Sequence, residues 1–260
     1  MTNLPFVHPD RQMARFQPMK ALRHFRNLIA DKEDTEQVFH IIRALSDNRF
    51  VDRAREFWTS SAGRKVLAEP ETLIDILDDH AALRKLPMGT VAHAYCDFME
   101  KEGLTAQGLA DEYEKFADKT ERHDDLLELY GNRQRDTHDL YHVLTGYGRD
   151  ALGEQCVLAF TYSQNPNWGI LFIAWAGGRE IKKGLKHVPI YSAIREAQKA
   201  GKVAQKIAHQ DVRAMLAEPL ADARKRLGIG EPVVYNKAHE MMRAGGIDPY
   251  DLLGQNTAAA

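Results

Sequence analysis

Apolar residues recur at helical spacing along most of the chain. Val38, Ile41, Ile42 and Leu45 fall at i, i+3, i+4 and i+7 behind Asp34-Thr35-Glu36-Gln37, which reads as an N-terminal capping box. Val91, Ala94, Tyr95 and Phe98 repeat the spacing until Gly103 stops the helix. Asp118-Lys119-Thr120-Glu121 is expected to cap a helix through Leu126, Leu127 and Tyr130. The next helix is predicted over 134–145. Asp150 is placed to cap another over 151–163, which Asn165-Pro166-Asn167 ends. Further helices are predicted over 169–184, 190–208, 211–226 and 234–243. Period-2 alternation is scarce and no internal repeat occurs, so the expected fold is all-α. The organisation expected is one helical domain over 34–245, an N-terminal basic arm over 1–33 and a tail over 246–260 that frays at Thr257-Ala258-Ala259-Ala260.

Composition narrows the setting more than the chemistry. The chain has 260 residues, 44% hydrophobic and 28% charged, which suffices for one sizeable core. A net charge of −2 gives no reason to expect nucleic acid. Cys96 and Cys156 stand far apart without metal-binding spacing, and residues 1–30 lack the apolar core of a secretory signal. Free, buried thiols in a reducing compartment are therefore expected.

The chemistry concentrates in His138-Asp139-Leu140-Tyr141-His142, followed after eleven residues by Glu154. On a helix, His138 and His142 project from one face a turn apart, with Asp139 on its flank. Gly146 and Gly148 interrupt the helix, so Glu154 is expected from the start of the next one. Two helices meeting at that turn can bring two imidazoles and two carboxylates to one point. Such a mixed nitrogen and oxygen set suits zinc, and also iron(II) or manganese. The likeness to His-Glu-x-x-His proteases is partial, because Asp139 is one methylene shorter than the glutamate base of that motif. Tyr141 points away from His142 and is expected in the core. His93, His123, His187, His209 and His239 have no motif partner and read as surface or satisfied-core histidines. Tyr147 and Arg149 lie on the connecting turn, where substrate contacts are common.

The segment from Arg135 to Gly146, ending in Leu152-Gly153-Glu154, resembles the signature of the coenzyme Q (ubiquinone) biosynthesis protein 4 family: His-Asp-x-x-His, eleven residues, then Glu. Gly63-Arg64 with Leu67, the Leu86-Pro87-Met88-Gly89 turn before a helix, and Arg226-Leu227-Gly228-Ile229 extend the resemblance from about Thr35 to about Gly230. The resemblance implies removal of the ring carboxylate from a polyprenylated 4-hydroxybenzoate-type intermediate of ubiquinone synthesis. In its oxidative version this is coupled to hydroxylation of the same carbon. It implies a divalent metal at His138, Asp139, His142 and Glu154, and other quinone-biosynthesis enzymes as partners; a homo-oligomer is also expected. The lack of a mitochondrial-type leader favours a bacterial cytoplasmic setting, peripheral to the inner face of the membrane. A non-enzymatic lipid-binding organiser with a structural metal is the competing class, and a metal-dependent phosphohydrolase a third.

Trp168 to Gly177 is apolar on every face but shorter than the ~20 residues that span a bilayer. Arg179, Lys182, Lys183 and Lys186 follow it. A buried helix with a cationic C-terminal end accounts for the pattern. So does the wall of a prenyl-binding cavity or a segment on a membrane surface, with Trp168 and Phe172 as substrate contacts. The basic Arg11–Arg26 stretch is expected to form a solvated helix.

Overall fold

Helices account for the ordered structure as the stripes predict. A computed structural model describes residues 4–13, 15–31, 34, 36–69, 71–117 and 122–252, and among them the lone β-type pairing is an isolated bridge between Thr90 and Pro219. In chain order the helices are α1 (Pro18–Ala30), α2 (Glu36–Ala44), α3 (Arg49–Thr59), α4 (Ser61–Ala68), α5 (Leu73–Asp78), α6 (His80–Leu83), α7 (Val91–Glu102) and α8 (Ala106–Phe116). Then come α9 (Leu126–Asp136), α10 (His138–Thr145), α11 (Ala151–Gln164), α12 (Trp168–Gly184), α13 (Ile190–Val203), α14 (Val212–Leu216), α15 (Leu220–Leu227) and α16 (Val233–Ala244).

The helix α11 lies at the centre, packed mainly between α12 and α13. Leu152, Cys156, Val157, Ala159 and Phe160 are fully buried in a core that also draws on α7, α10, α13, α15 and α16. Smaller cores join α1 and α2 to α12 through Ala21, Ile41 and Ile173, and α3 to α9 through Phe57, Trp58 and Tyr130. Cys96 and Cys156 are buried free thiols. Tyr141 packs edge-on against Phe160 in the core, as expected.

Three predicted boundaries move. The 190–208 helix ends at Val203, because Gln164 offers the backbone another partner. Its amide donates to Gly201 and Ala204 carbonyls at 2.7 and 3.1 Å and accepts the Ile207 N–H at 2.9 Å. The 211–226 helix breaks into α14 and α15 at Pro219, which has no N–H to give. The backbone there pairs with the entry to α7 instead: Val91 N–H donates to Glu218 O and Leu220 N–H to Gly89 O, both at 2.9 Å. The 134–145 helix is divided at Thr137, whose hydroxyl bonds back to Arg133 O at 2.9 Å.

Helices over 49–83 and 106–116 were not predicted. They are four to eleven residues long, and side-chain caps open all of them except α3. Ser60, Asp79 and Thr105 accept from N–H groups of the following turn, and Thr72 with Asp75 forms a capping box. The cap expected at 118–121 lies outside the described residues, as do Thr35 of the first capping box and the 257–260 tail. Asp125 caps α9 by accepting the Glu128 N–H at 2.8 Å. Residues of the predicted N-terminal arm run across this cap. Arg11 grips the Asp125 carboxylate at 2.6 and 2.8 Å, and Pro5 O accepts the Leu126 N–H at 3.0 Å.

The helix α12 has an inner and an outer face. Gly169, Ile173, Ala174, Gly178 and Ile181 are buried, whereas Trp168 is 43% exposed. No described helix is long and apolar enough to cross a membrane. A Cβ at Gly169 would lie 2.5 Å from Ile42 Cα, so that glycine sets how closely α12 meets α2. Gly169→Ala is expected to destabilise the protein by about 1–3 kcal/mol through overpacking. An unchanged denaturation midpoint would show that the two helices do not rest on each other there.

His209 lies in a pocket formed by Phe57 and Tyr130, with its Nε2 3.3 Å from the tyrosine hydroxyl. Burial pushes its pKa down to about 4, helped by Lys206 and Arg133 and opposed by Glu56. The folded state therefore excludes a proton that the unfolded chain binds below the ordinary histidine value of about 6.5. Stability from this group is complete above that value and falls as pH drops from about 6.5 to about 4, by at most about 3 kcal/mol. Urea titrations should show this slope in the wild type and its loss in His209→Gln.

Candidate metal centre

The helix α10 presents His138, Asp139 and His142 on one side, and its geometry follows from how it ends. Gly146 takes the left-handed conformation, φ 78°, and returns its N–H to His142 O at 2.9 Å. Arg224 of α15 then donates to the Leu144 and Val143 carbonyls at 2.9 and 3.1 Å, satisfying the last turn. The chain turns through 146–150 into α11. Asp150 caps that helix by accepting the Leu152 and Gly153 N–H groups, both at 3.1 Å. Glu154 stands in the first turn, where the helix dipole favours a negative charge.

The two imidazoles converge, and Asp139 and Glu154 each approach them, although Glu154 falls outside the group of mutually close ligand atoms. His138 Nε2 and His142 Nε2 are 3.3 Å apart. Glu154 reaches them at 3.7 and 3.6 Å through its two oxygens. Ligand atoms of His138, Asp139 and His142 all lie within 4.8 Å of one another. His142 is buried, and its ring stacks on Phe98 with centroids 5.3 Å apart. Its Nδ1 donates to Tyr147 O at 3.0 Å, since a carbonyl can only accept. In the neutral ring the Nε2 lone pair therefore faces His138 and Glu154.

Burial disfavours charge on both His142 and Glu154, but their mutual attraction outweighs it. Glu154, beside two imidazoles, is held well below the usual carboxylate range, and His142 is raised. A divalent ion would stabilise the Glu154 carboxylate further and would take the place of the proton on His142. Two imidazole nitrogens, that of His142 with its lone pair fixed by Tyr147 O, and two carboxylates fit zinc, iron(II) or manganese by donor type.

The site opens on a cavity of about 2570 Å³. His138, Asp139, Arg149 and Glu154 form part of its wall; the rest comes largely from α1, α2, α8, α11 and α12, including Phe25, Leu28, Phe39, Leu109, Leu158 and Ile173. Arg149 projects beside Glu154, Nε to Oε1 3.5 Å. The other three residues singled out as substrate contacts lie elsewhere. The Tyr147 ring is buried edge-on against Tyr235, and only its carbonyl serves the site. Trp168 and Phe172 form an outer patch with Leu171, Trp175 and Ala176.

The unmatched histidines find ordinary partners where the structure gives them: His93 with Leu86 O at 2.7 Å, His239 with Asp150 at 3.0 Å, and His123 stacked on His8. A second grouping of His80, Cys96 and Glu100 also falls within 4.8 Å, but Arg84 already holds Glu100 at 2.7 Å. Two contributors escaped the motif. Phe98 ends the apolar stripe of α7, a signal of burial and not of what it would cover. Arg224 carries no signal at all, because its role depends on where α15 lands.

The model of the family "Coenzyme Q (ubiquinone) biosynthesis protein Coq4" matches residues 30–233. The chain belongs to this family. Among its relatives, the mitochondrial ubiquinone biosynthesis protein COQ4 of Pyricularia oryzae is 27% identical over 186 residues, 70% of this chain and 58% of that protein. A mitochondrial COQ4 homolog of Culex quinquefasciatus is 33% identical over 103 residues, 40% of this chain and 43% of that protein. The chain thus spans less than two thirds of either relative. A crystal structure of a proposed ubiquinone biosynthesis protein from Nostoc punctiforme shares the fold, with TM-score 0.55 and 21% identity over 84% of this chain and all of that one. The Coq4-family match contains both α10 and α11, so the whole His-Asp-x-x-His and Glu154 constellation lies within it.

If these four side chains hold a divalent ion, His142→Ala and Glu154→Ala should each cut bound metal to below about a tenth of wild type, since each removes a direct ligand. Elemental analysis of protein purified without chelator checks this. Full metal content in both variants would refute the assignment.

Proposed function

We propose that this Coq4-family protein acts in ubiquinone biosynthesis as a metal-dependent carbon–carbon lyase. It would remove the ring carboxylate of a polyprenylated 4-hydroxybenzoate-type intermediate of the 3-methoxy-5-polyprenyl kind, with or without coupled hydroxylation. The observation that carries this reading is the opening of the imidazole and carboxylate cluster onto a large cavity whose mixed wall includes apolar side chains of α1, α2, α8 and α12. A purely structural metal has no need of such an opening. A cavity far above the 300–1,000 Å³ typical of small-ligand sites suits a ring bearing a long hydrocarbon tail.

His138, Asp139, His142 and Glu154 would hold the ion, zinc in the first instance, with iron(II) or manganese as alternatives. When bound, the ion supplies a Lewis acid for the substrate carboxylate or an adjacent ring oxygen. His142 is fixed by Tyr147 O and Phe98, so its nitrogen keeps its aim. Asp139, the more buried of the two carboxylates, is placed either to bind directly or to steer its neighbours. Arg149 is half-exposed at the cavity wall and offers the cation that would pair with an incoming carboxylate. Side chains of α2, α8 and α12 would enclose the tail.

One observation favours a second reading, that of a non-catalytic lipid-binding organiser docking other quinone-biosynthesis enzymes. Trp168, Leu171, Phe172 and Trp175 form an apolar patch on the outer face of α12, followed by Arg179, Lys182 and Lys183. In either reading the protein would work at the surface of a membrane, in bacteria the inner face of the cytoplasmic membrane.

Both are tested by adding a short-prenyl 3-methoxy-4-hydroxybenzoate to metal-assayed protein, in air and without oxygen. Carbon dioxide release should fall at least about a hundredfold in Glu154→Ala, a loss of the size expected when a metal ligand is deleted. The anaerobic arm separates simple from oxidative decarboxylation. No turnover by fully metallated wild type would favour the organiser.

A further inference from the structure

The most completely bonded buried carboxylate near the site is not a motif residue. Asp150 is fully buried in its side chain. One of its oxygens, Oδ1, accepts both cap N–H groups of α11 and lies 3.0 Å from His239 Nε2. The other, Oδ2, accepts from the Tyr235 hydroxyl. That hydroxyl in turn accepts the Gly148 N–H at 2.9 Å. A Cβ at Gly148 would overlap the Tyr250 hydroxyl and crowd that of Tyr235 at 3.0 Å, so any side chain there would displace those rings.

These contacts close a loop around the connecting turn. Tyr235 and His239 grip residues 148 and 150 from the α16 side. On the other side, Tyr147 O grips His142. The Tyr147 and Tyr235 rings meet edge to face, 5.2 Å apart at 90°. Glu154 hangs from the same turn, its N–H donating to Asp150 O at 3.0 Å. Besides the ion pair between them, the imidazole of His142 on α10 and the carboxylate of Glu154 on α11 are thus linked through a turn that α16 holds. The family match ends at residue 233, so Tyr235 and His239 lie beyond it.

We propose that Tyr235 and His239 are positioning residues for the metal centre, acting through Asp150 and Gly148 to hold His142 and Glu154 in register. The proposal rests on the reading that His138, Asp139, His142 and Glu154 bind a divalent ion. Indirect supports of this kind, when removed, weaken metal binding about 10–100-fold without touching a ligand. A merely structural role for the cluster would lower stability and leave intrinsic affinity alone.

The test compares Tyr235→Phe and His239→Gln with Met242→Ala, a buried apolar truncation on the same helix. Zinc and cobalt(II) affinities are measured by chelator competition, and thermal midpoints on metal-free protein. In Tyr235→Phe affinity should fall about 10–100-fold, whereas Met242→Ala, with an equal or larger drop in midpoint, should stay within about threefold of wild type. Should Tyr235→Phe not fold, His239→Gln carries the same expectation. Wild-type affinity in the folded polar variants, or equal loss in Met242→Ala, would overturn the proposal. Wild-type protein whose metal binding is absent, or is indifferent to Glu154→Ala, would overturn the metal reading itself.

Discussion

An ionised carboxylate placed at the head of the most enclosed helix governs the rest of the structure. Glu154 belongs to α11, whose next turns are packed on several sides. A charge partly withdrawn from water in this way is costly unless opposite charge and hydrogen bonding compensate it. Here the compensation comes from two imidazoles on α10 and from the N-terminal dipole of α11 itself. Those imidazoles are useful only if α10 stops where it does, and it stops because Gly146 adopts a conformation open to glycine and Arg224 occupies the last carbonyls. The break at Pro219 in turn lets α15 begin at Leu220 and carry Arg224 to that point. A proline far along the chain and a charged site in its middle are thereby linked by ordinary backbone requirements.

Burial and access are divided between the two histidines. His142 has no exposed surface and is clamped between Phe98 and Tyr147 O, while His138 keeps part of its ring at the cavity wall. One nitrogen is therefore rigid and the other open to solvent or ligand. This asymmetry distinguishes the cluster from a closed structural knot, in which all donors would be equally enclosed.

Much of this was legible in the sequence, for identifiable reasons. The motif helix, its glycine stop, the Asp150 cap and the return of Glu154 are local events, each set by residues within one or two turns. Apolar stripes likewise mark α2 and α7, and the Asp150 cap and the Asn165-Pro166-Asn167 break bound α11. The signal failed where partners are distant in sequence. Gln164 ends α13 from nearly forty residues away, and the apolar spacing that flanks Pro219 continues across it and hides the break. Tyr147 was singled out for its ring, yet its carbonyl does the work, and no side-chain pattern can announce a backbone acceptor. For Trp168 and Phe172 the sequence leaves a buried helix, a cavity wall and a membrane-surface segment open, because hydrophobicity alone cannot tell the inside of a helix from its outside when both are apolar.

The two faces of α12 have a further consequence. Phe172 belongs to the outer patch and rests on Phe25, whereas its neighbour Ile173 belongs to the cavity wall. The helix is a partition about 10 Å thick between two media, and adjacent letters of its sequence answer to different ones. Drift at this partition should accordingly be tolerated by substitution and not by insertion. One added residue would rotate everything beyond it by about 100°, carrying Trp175 out of the outer patch and Gly177, Glu180 and Ile181 away from the cavity wall.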